Sequence, residues 1–142
     1  MDKLSEFVIP TTKQTEYINI TEKVAQLVRE SGIRDGVAFV ITAHTTSGIT
    51  VNECLECLQS DMEVLMKDLV PEDRPYAHAR MLHSYGTTAG NAPGHLRGML
   101  TNNHAVFPVR DGELVKGHAA EVFFAEYDGP QDRKVYVQVM GD

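Results

Sequence analysis

"GVAFVITAHTTSGITVN", Gly36 to Asn52, decides how this chain folds. Its first seven residues are a near-continuous apolar run, which reads as a central strand covered on both faces. The run breaks into His44, Thr45, Thr46 and Ser47 and recovers as "GITVN", with Ile49 and Val51 on one face and Thr50 and Asn52 on the other. An imidazole and three hydroxyls between two strands have two readings. They form a polar turn whose side chains satisfy their own backbone, or a corner that faces a pocket.

Outward from this stretch the pattern is mixed. Upstream, Phe7–Ile9 and Tyr17–Ile20 are strand-like. "ITEKVAQLVRESG" reads as a helix with Thr21 as N-cap, Val24, Leu27 and Val28 on one face, and Gly32 as its stop. Downstream, Leu55, Leu58, Met62, Leu65, Met66 and Leu69 form one helical stripe ending at Val70-Pro71, with Asp61 on its shoulder. A long loop rich in glycine and proline follows, and loops of that length inside a domain are usually functional or disordered.

"HLRGMLTN" then reads as a short helix beginning just after Pro93-Gly94. The remainder is strand: "HAVFPV", "ELVKG", "AEVFFAEY" and "KVYVQVM", the last alternating Val135, Val137 and Val139 against Tyr136, Gln138 and Met140. Asp111-Gly112 and Asp128-Gly129 both carry the hairpin signature. Seven or more strands with two or three helices make an α+β fold on an antiparallel or mixed sandwich.

The chain of 142 residues fits a single domain, 1–142, with an ordinary apolar share of 42%. Its net charge of −7 opposes a nucleic-acid backbone. No apolar run approaches the ~20 residues of a membrane helix, and the first residues lack a secretory h-region. With Cys54 and Cys57 as its only cysteines, a disulfide framework is not indicated, and a reducing cytoplasmic home is expected. Their C-x-x-C spacing lacks both a thioredoxin-like context and a second pair for structural zinc.

Five of the six histidines lie between His78 and His118, none at the helical His-x-x-x-His step. A metal site would therefore draw on separate elements: His44 at a strand end, His78 or His83 from the loop, and His95 at a helix start. The turn at Asn91–Gly94 leads into a helix whose first amides attract phosphate or carboxylate, and Arg97 in the first turn would add a bidentate contact. Thr45 and Ser47 supply hydroxyls for an anion. No G-x-S-x-G elbow surrounds Ser47, so a serine hydrolase is not indicated. Carboxylates near these elements are Glu53, Asp61 and Glu126. Glu126, at the end of an apolar strand, is a partner for a metal-bound imidazole, a proton carrier or a rim residue.

"HTTSGITVNE", the "DM" at Asp61-Met62, "PYAH", "GNAPGHLRGML", "FPVRDGELVKG" and "FFAEYDGPQDRKVYVQVMG" together resemble the YjbQ-type family of secondary thiamine-phosphate synthases, long an uncharacterised protein family. The resemblance implies an α+β sandwich assembled as a homotrimer, with sites near subunit boundaries. It also implies a histidine-lined pocket that takes a divalent metal: zinc, or magnesium with a diphosphate substrate. By position it makes His44, His78 and His95 the metal ligands, while Asn52, Glu53, Asp61, Asn91 and Glu126 fall on recurring positions of the family pattern. His83 could replace or join His78, and Cys54 is a remote candidate ligand.

Three functions follow as expectations. The first is an enzyme of thiamine-phosphate synthase type, which joins a pyrimidine diphosphate to a thiazole phosphate. The second is a metal-assisted hydrolase of a small phosphorylated or amide substrate, with Glu126 or Asp61 as base. The third is a trimer that binds a small phosphorylated metabolite without turnover.

Overall fold

The computed structural model describes residues 1–77 and 91–142. Two antiparallel sheets and three helices make up these residues. The larger sheet has the order β1 (Asp2–Pro10), β8 (Asp132–Gly141), β3 (Gly36–Thr42), β5 (His104–Arg110), β6 (Glu113–Leu114). The smaller has β7 (Glu121–Glu126) between β2 (Glu16–Asn19) and β4 (Ser47–Asn52). The run from Gly36 is thus the central strand of the large sheet. The chain crosses to the small sheet through Ala43–Thr46, and that crossing is the HTTS corner.

The core lies where β3, β5 and β8 meet β4, β7 and helix α1 (Thr21–Glu30). Ala38, Val40, Val135, Val137 and Val139 fill it from the large sheet, Ile49, Val122 and Phe124 from the small one, and Val24 and Val28 from α1. The period-2 alternation of β8 has the phase its sequence implies.

Among the described residues, strand β3 is covered on one face. Its other face carries Val37, Phe39 and Ile41, which register beside Met140, Gln138 and Tyr136 of β8 and Pro108, Val106 and His104 of β5. That outer face is apolar and open: Leu4 is 58% exposed, Val106 50% and Met140 44%.

Several local expectations change. Ile20, not Thr21, is the N-cap of α1; the Asn19 Oδ1 accepts from both the amide and the hydroxyl of Thr21, at 3.0 and 2.7 Å. A short polar side chain two residues upstream thus does the capping. Asp111-Gly112 closes the β5–β6 hairpin with both residues at positive φ, 53° and 76°. Asp128-Gly129 makes no hairpin, because β7 and β8 belong to different sheets and the chain crosses between layers there. Helix α2 (Glu56–Leu69) buries none of its residues; Leu65 and Leu69 are open, while Met62 and Met66 line a cleft with Thr50 and Asn52 of the small sheet. Val51, two residues after the buried Ile49, is exposed at the end of an edge strand. No helix among the described residues is long and apolar enough to cross a membrane.

Candidate functional site

The HTTS corner is tied down by its own hydroxyls. Thr42 Oγ1 accepts from the His44 amide at 3.3 Å and lies 2.9 Å from Ser47 Oγ, which donates to the His44 carbonyl at 3.0 Å. Thr46 faces inward, where one Arg133 nitrogen, Nη2, donates to both its hydroxyl (2.8 Å) and its carbonyl (3.3 Å). Those two hydroxyls are structural. His44 and Thr45 are left to face outward.

Arg133 is held in turn by Glu126, and both are essentially fully buried. Arg133 donates to both Glu126 oxygens, through Nε to Oε1 at 2.8 Å and through Nη2 to Oε2. Glu126 also accepts from Thr11 Oγ1 at 2.7 Å and from the Asp128 amide at 3.0 Å. Burial alone pushes the Glu126 carboxyl up. The Arg133, Thr11 and Asp128 hydrogen bonds outweigh it and hold the group below the usual carboxylate range. Glu126 therefore does not line the cleft as a base or rim residue; it anchors the corner through Arg133.

The next residue grips the histidine itself. The Lys134 amide donates to His44 Nε2 at 3.2 Å. Burial, and after it the nearby Arg133 charge, pulls the His44 pKa down, so the ring is neutral at pH 7.

Helix α3 (Ala92–Thr101) forms the opposite wall. It starts at Ala92, before the expected position, with Pro93 inside its first turn, where proline costs no hydrogen bond. The start packs against the protein: Asn91 Nδ2 donates to Asp128 at 3.3 Å, and a Cβ on Gly94 would lie 2.8 Å from the Tyr127 carbonyl. The anion site expected at this helix start is thus blocked by Tyr127 and Asp128. Arg97, expected in the first turn, lies in the second and points inward. It is 2% exposed and donates to the Val70 carbonyl at 2.7 Å and to Glu72 at 3.0 Å.

The middle of α3 meets the corner instead. Gly98 sits where a Cβ would come within 2.9 Å of the Thr45 and Ser47 carbonyls, so only glycine lets the helix approach this closely. A cleft of about 430 Å³ opens here, lined among the described residues by His44, Thr45, Ser47, His95, Met99 and Asn102. Asn102, the last of these, has φ 82° and ψ 163°, a region that non-glycine residues almost never enter.

Of the expected site residues, the structure brings together His44, Thr45, Ser47 and His95. Asn52 lies elsewhere, under α2 in a smaller cleft with Tyr17 and Tyr127; Glu53 is exposed before α2, and Asp61 is exposed on it. His78 and His83 lie outside the described residues. Among the described residues no three His, Cys, Asp or Glu side chains converge as a metal set. Cys54 and Cys57 are exposed free thiols.

Sequence reasoning missed Arg133, Gly98 and Asn102. The first was legible: stepping back two residues from Val135 on the inward face of β8 puts Arg133 in the core, where a guanidinium requires a carboxylate.

A family model described as "UPF0047 protein YjbQ-like" matches residues 5–142. The chain belongs to this family. It is 36% identical over 136 residues to a UPF0047 protein of Methanothermobacter thermautotrophicus, covering 96% of this chain and 90% of that one. It is 34% identical to the UPF0047 protein YugU of Bacillus subtilis, covering 97% and 99%. Among solved structures, a YbjQ-like protein of Sulfolobus solfataricus superposes with TM-score 0.92 at 31% identity, over 100% of this chain and 99% of that one. A YjbQ/UPF0047 protein of Clostridium acetobutylicum gives TM-score 0.86 at 32% identity, over 96% and 99%. The α+β sandwich of two antiparallel sheets is the fold of these relatives.

Proposed function

We propose that the cleft between the HTTS corner and α3 binds a small phosphorylated metabolite, and that the protein is a cytoplasmic transferase of thiamine-phosphate synthase type. One observation carries this reading: two histidines, an open threonine hydroxyl and the Asn102 side chain line one cleft whose size suits a ring-sized ligand. In that reaction the thiazole nitrogen attacks the pyrimidine methylene carbon, the carbon–oxygen bond to diphosphate breaks, and diphosphate leaves with the electron pair. Such a step needs no covalent nucleophile. It needs donors placed where charge builds on the leaving group, and His44, Thr45 and Asn102 supply N–H and O–H groups there.

A divalent cation at a diphosphate would share that task, as zinc or magnesium. The described residues do not fit a histidine-built zinc centre: only His44 and His95 reach the cleft, and the Nε2 of His44 is already an acceptor for the Lys134 amide.

The apolar outer face of the large sheet supports assembly, with three copies as the resemblance implies. A central strand apolar on both sides requires cover on both, and the described residues of one chain cover one. The alternative of a metal-assisted hydrolase draws less support, because its proposed bases, Asp61 and Glu126, both lie away from the cleft.

Purified protein mixed with the pyrimidine diphosphate and the thiazole phosphate should yield thiamine phosphate by mass spectrometry, with one diphosphate released per product. Ligand binding without product in the presence of zinc or magnesium would make the cleft a receptor site and end the enzyme reading.

A further inference from the structure

His44 has one ring nitrogen committed, and the identity of its partner fixes the other. The group on Nε2 is a backbone N–H, 3.2 Å away, so Nε2 must offer a lone pair. In a neutral imidazole the proton then resides on Nδ1. A metal-bound histidine has the reverse arrangement, because its second nitrogen carries the proton and donates it to a carbonyl or carboxylate. For His44 to bind a metal through Nδ1 while keeping the Lys134 contact, the ring would have to be an imidazolate. For Nε2 to bind one, the Lys134 amide would lose its acceptor.

Resting on the reading that the cleft takes a phosphorylated ligand, we propose that His44 is not a metal ligand but a fixed Nδ1–H donor to an anionic oxygen of that ligand. The corner is built to hold this state. Arg133 clamps Thr46 on one side, Lys134 sets the ring on the other, and Thr42 and Ser47 lock the backbone between them. A neutral ring that donates one hydrogen bond suits a phosphoryl or carboxylate oxygen without an ion pair that would slow its release.

The ring state is read directly from the nitrogen spectrum of histidine-labelled protein, assigned with His44→Asn. The expected result is a protonated Nδ1 and an unprotonated Nε2 at pH 7, unmoved by stoichiometric zinc. A protonated Nε2, or ring nitrogens displaced by zinc, would overturn the proposal. Calorimetry with inorganic pyrophosphate then compares two variants whose folding is checked by thermal melts. His44→Asn places an amide N–H at the position of Nδ1, and His44→Gln places its amide one bond further out, near Nε2.

Asn is expected to bind pyrophosphate within about threefold of wild type, and Gln at least about tenfold more weakly, the loss of one hydrogen bond to a charged acceptor. The reverse order would also overturn the proposal. Wild type that binds no pyrophosphate, whatever its ring state, would instead defeat the phosphorylated-ligand reading, since the nitrogen spectrum decides the tautomer independently.

Discussion

At the scale of single residues, the Glu126–Arg133 pair shows what a buried charge does for a neighbouring turn. Glu126→Gln leaves the Arg133 guanidinium buried without its counter-charge, which costs about 3–5 kcal/mol. Urea unfolding should show that loss, and Glu126→Gln combined with Arg133→Met should recover part of it. The same carboxyl sets an acid limit. Its folded pKa is depressed, so between the folded and unfolded values the unfolded chain binds more protons and stability rises with pH. The contribution is complete above the unfolded carboxylate value of about 4.3 and is lost as pH falls through the lower folded value. Glu126→Gln should therefore flatten the stability curve as pH falls below the unfolded carboxylate value of about 4.3. An unchanged slope would assign the acid sensitivity to other groups. Asn102 is the complementary case: Asn102→Gly relieves an unfavourable backbone and should stabilise the fold by about 1 kcal/mol while weakening ligand binding. A melt and a pyrophosphate titration on the same sample check both halves.

At the scale of elements, the contact between α3 and the HTTS corner depends on Gly98. Gly98→Ala puts a methyl against two carbonyls at 2.9 Å, and neither backbone can yield without opening the cleft. The expected cost is about 1–3 kcal/mol, with pyrophosphate affinity falling more than stability alone explains. Much of this layer was legible in the sequence. The apolar run from Gly36, the alternation of β8 and the Asp111-Gly112 turn each carry a local rule that the tertiary structure obeys. Elsewhere tertiary context overrode the local signal. Asp128-Gly129 has the composition of a hairpin but joins two layers, and no local rule distinguishes those cases. The α3 start was placed late because proline at its second position reads as a breaker when it is tolerated there. Arg97 reads as a site residue from its place just after a helix start, and Glu126 from the end of an apolar strand. Both are instead bound within the protein, which is what a buried ion pair demands. His44, Thr45 and Ser47 stand out as a polar break in an apolar strand, and His95 by its place near a helix start.

At the scale of the whole molecule, the open apolar surfaces remain to be accounted for. The outer face of the large sheet and the exposed stripe of α2 have the composition of buried surface, without cover among the described residues. Light scattering should return about three times the chain mass of 15.8 kDa. Val106→Glu, at the centre of the outer face beside Phe39, should shift the protein toward monomer while leaving far-ultraviolet dichroism intact. A wild-type monomer at every concentration would leave that face to some other partner.

The cleft between the HTTS corner and α3 is the proposed seat of a phosphorylated ligand. Titrating inorganic pyrophosphate into amide-labelled protein tests it most directly. Saturable shifts centred on residues 42–47 and 95–103 are expected. Shifts centred under α2, around Tyr17, Asn52 and Met66, or no saturable response at all, would contradict it.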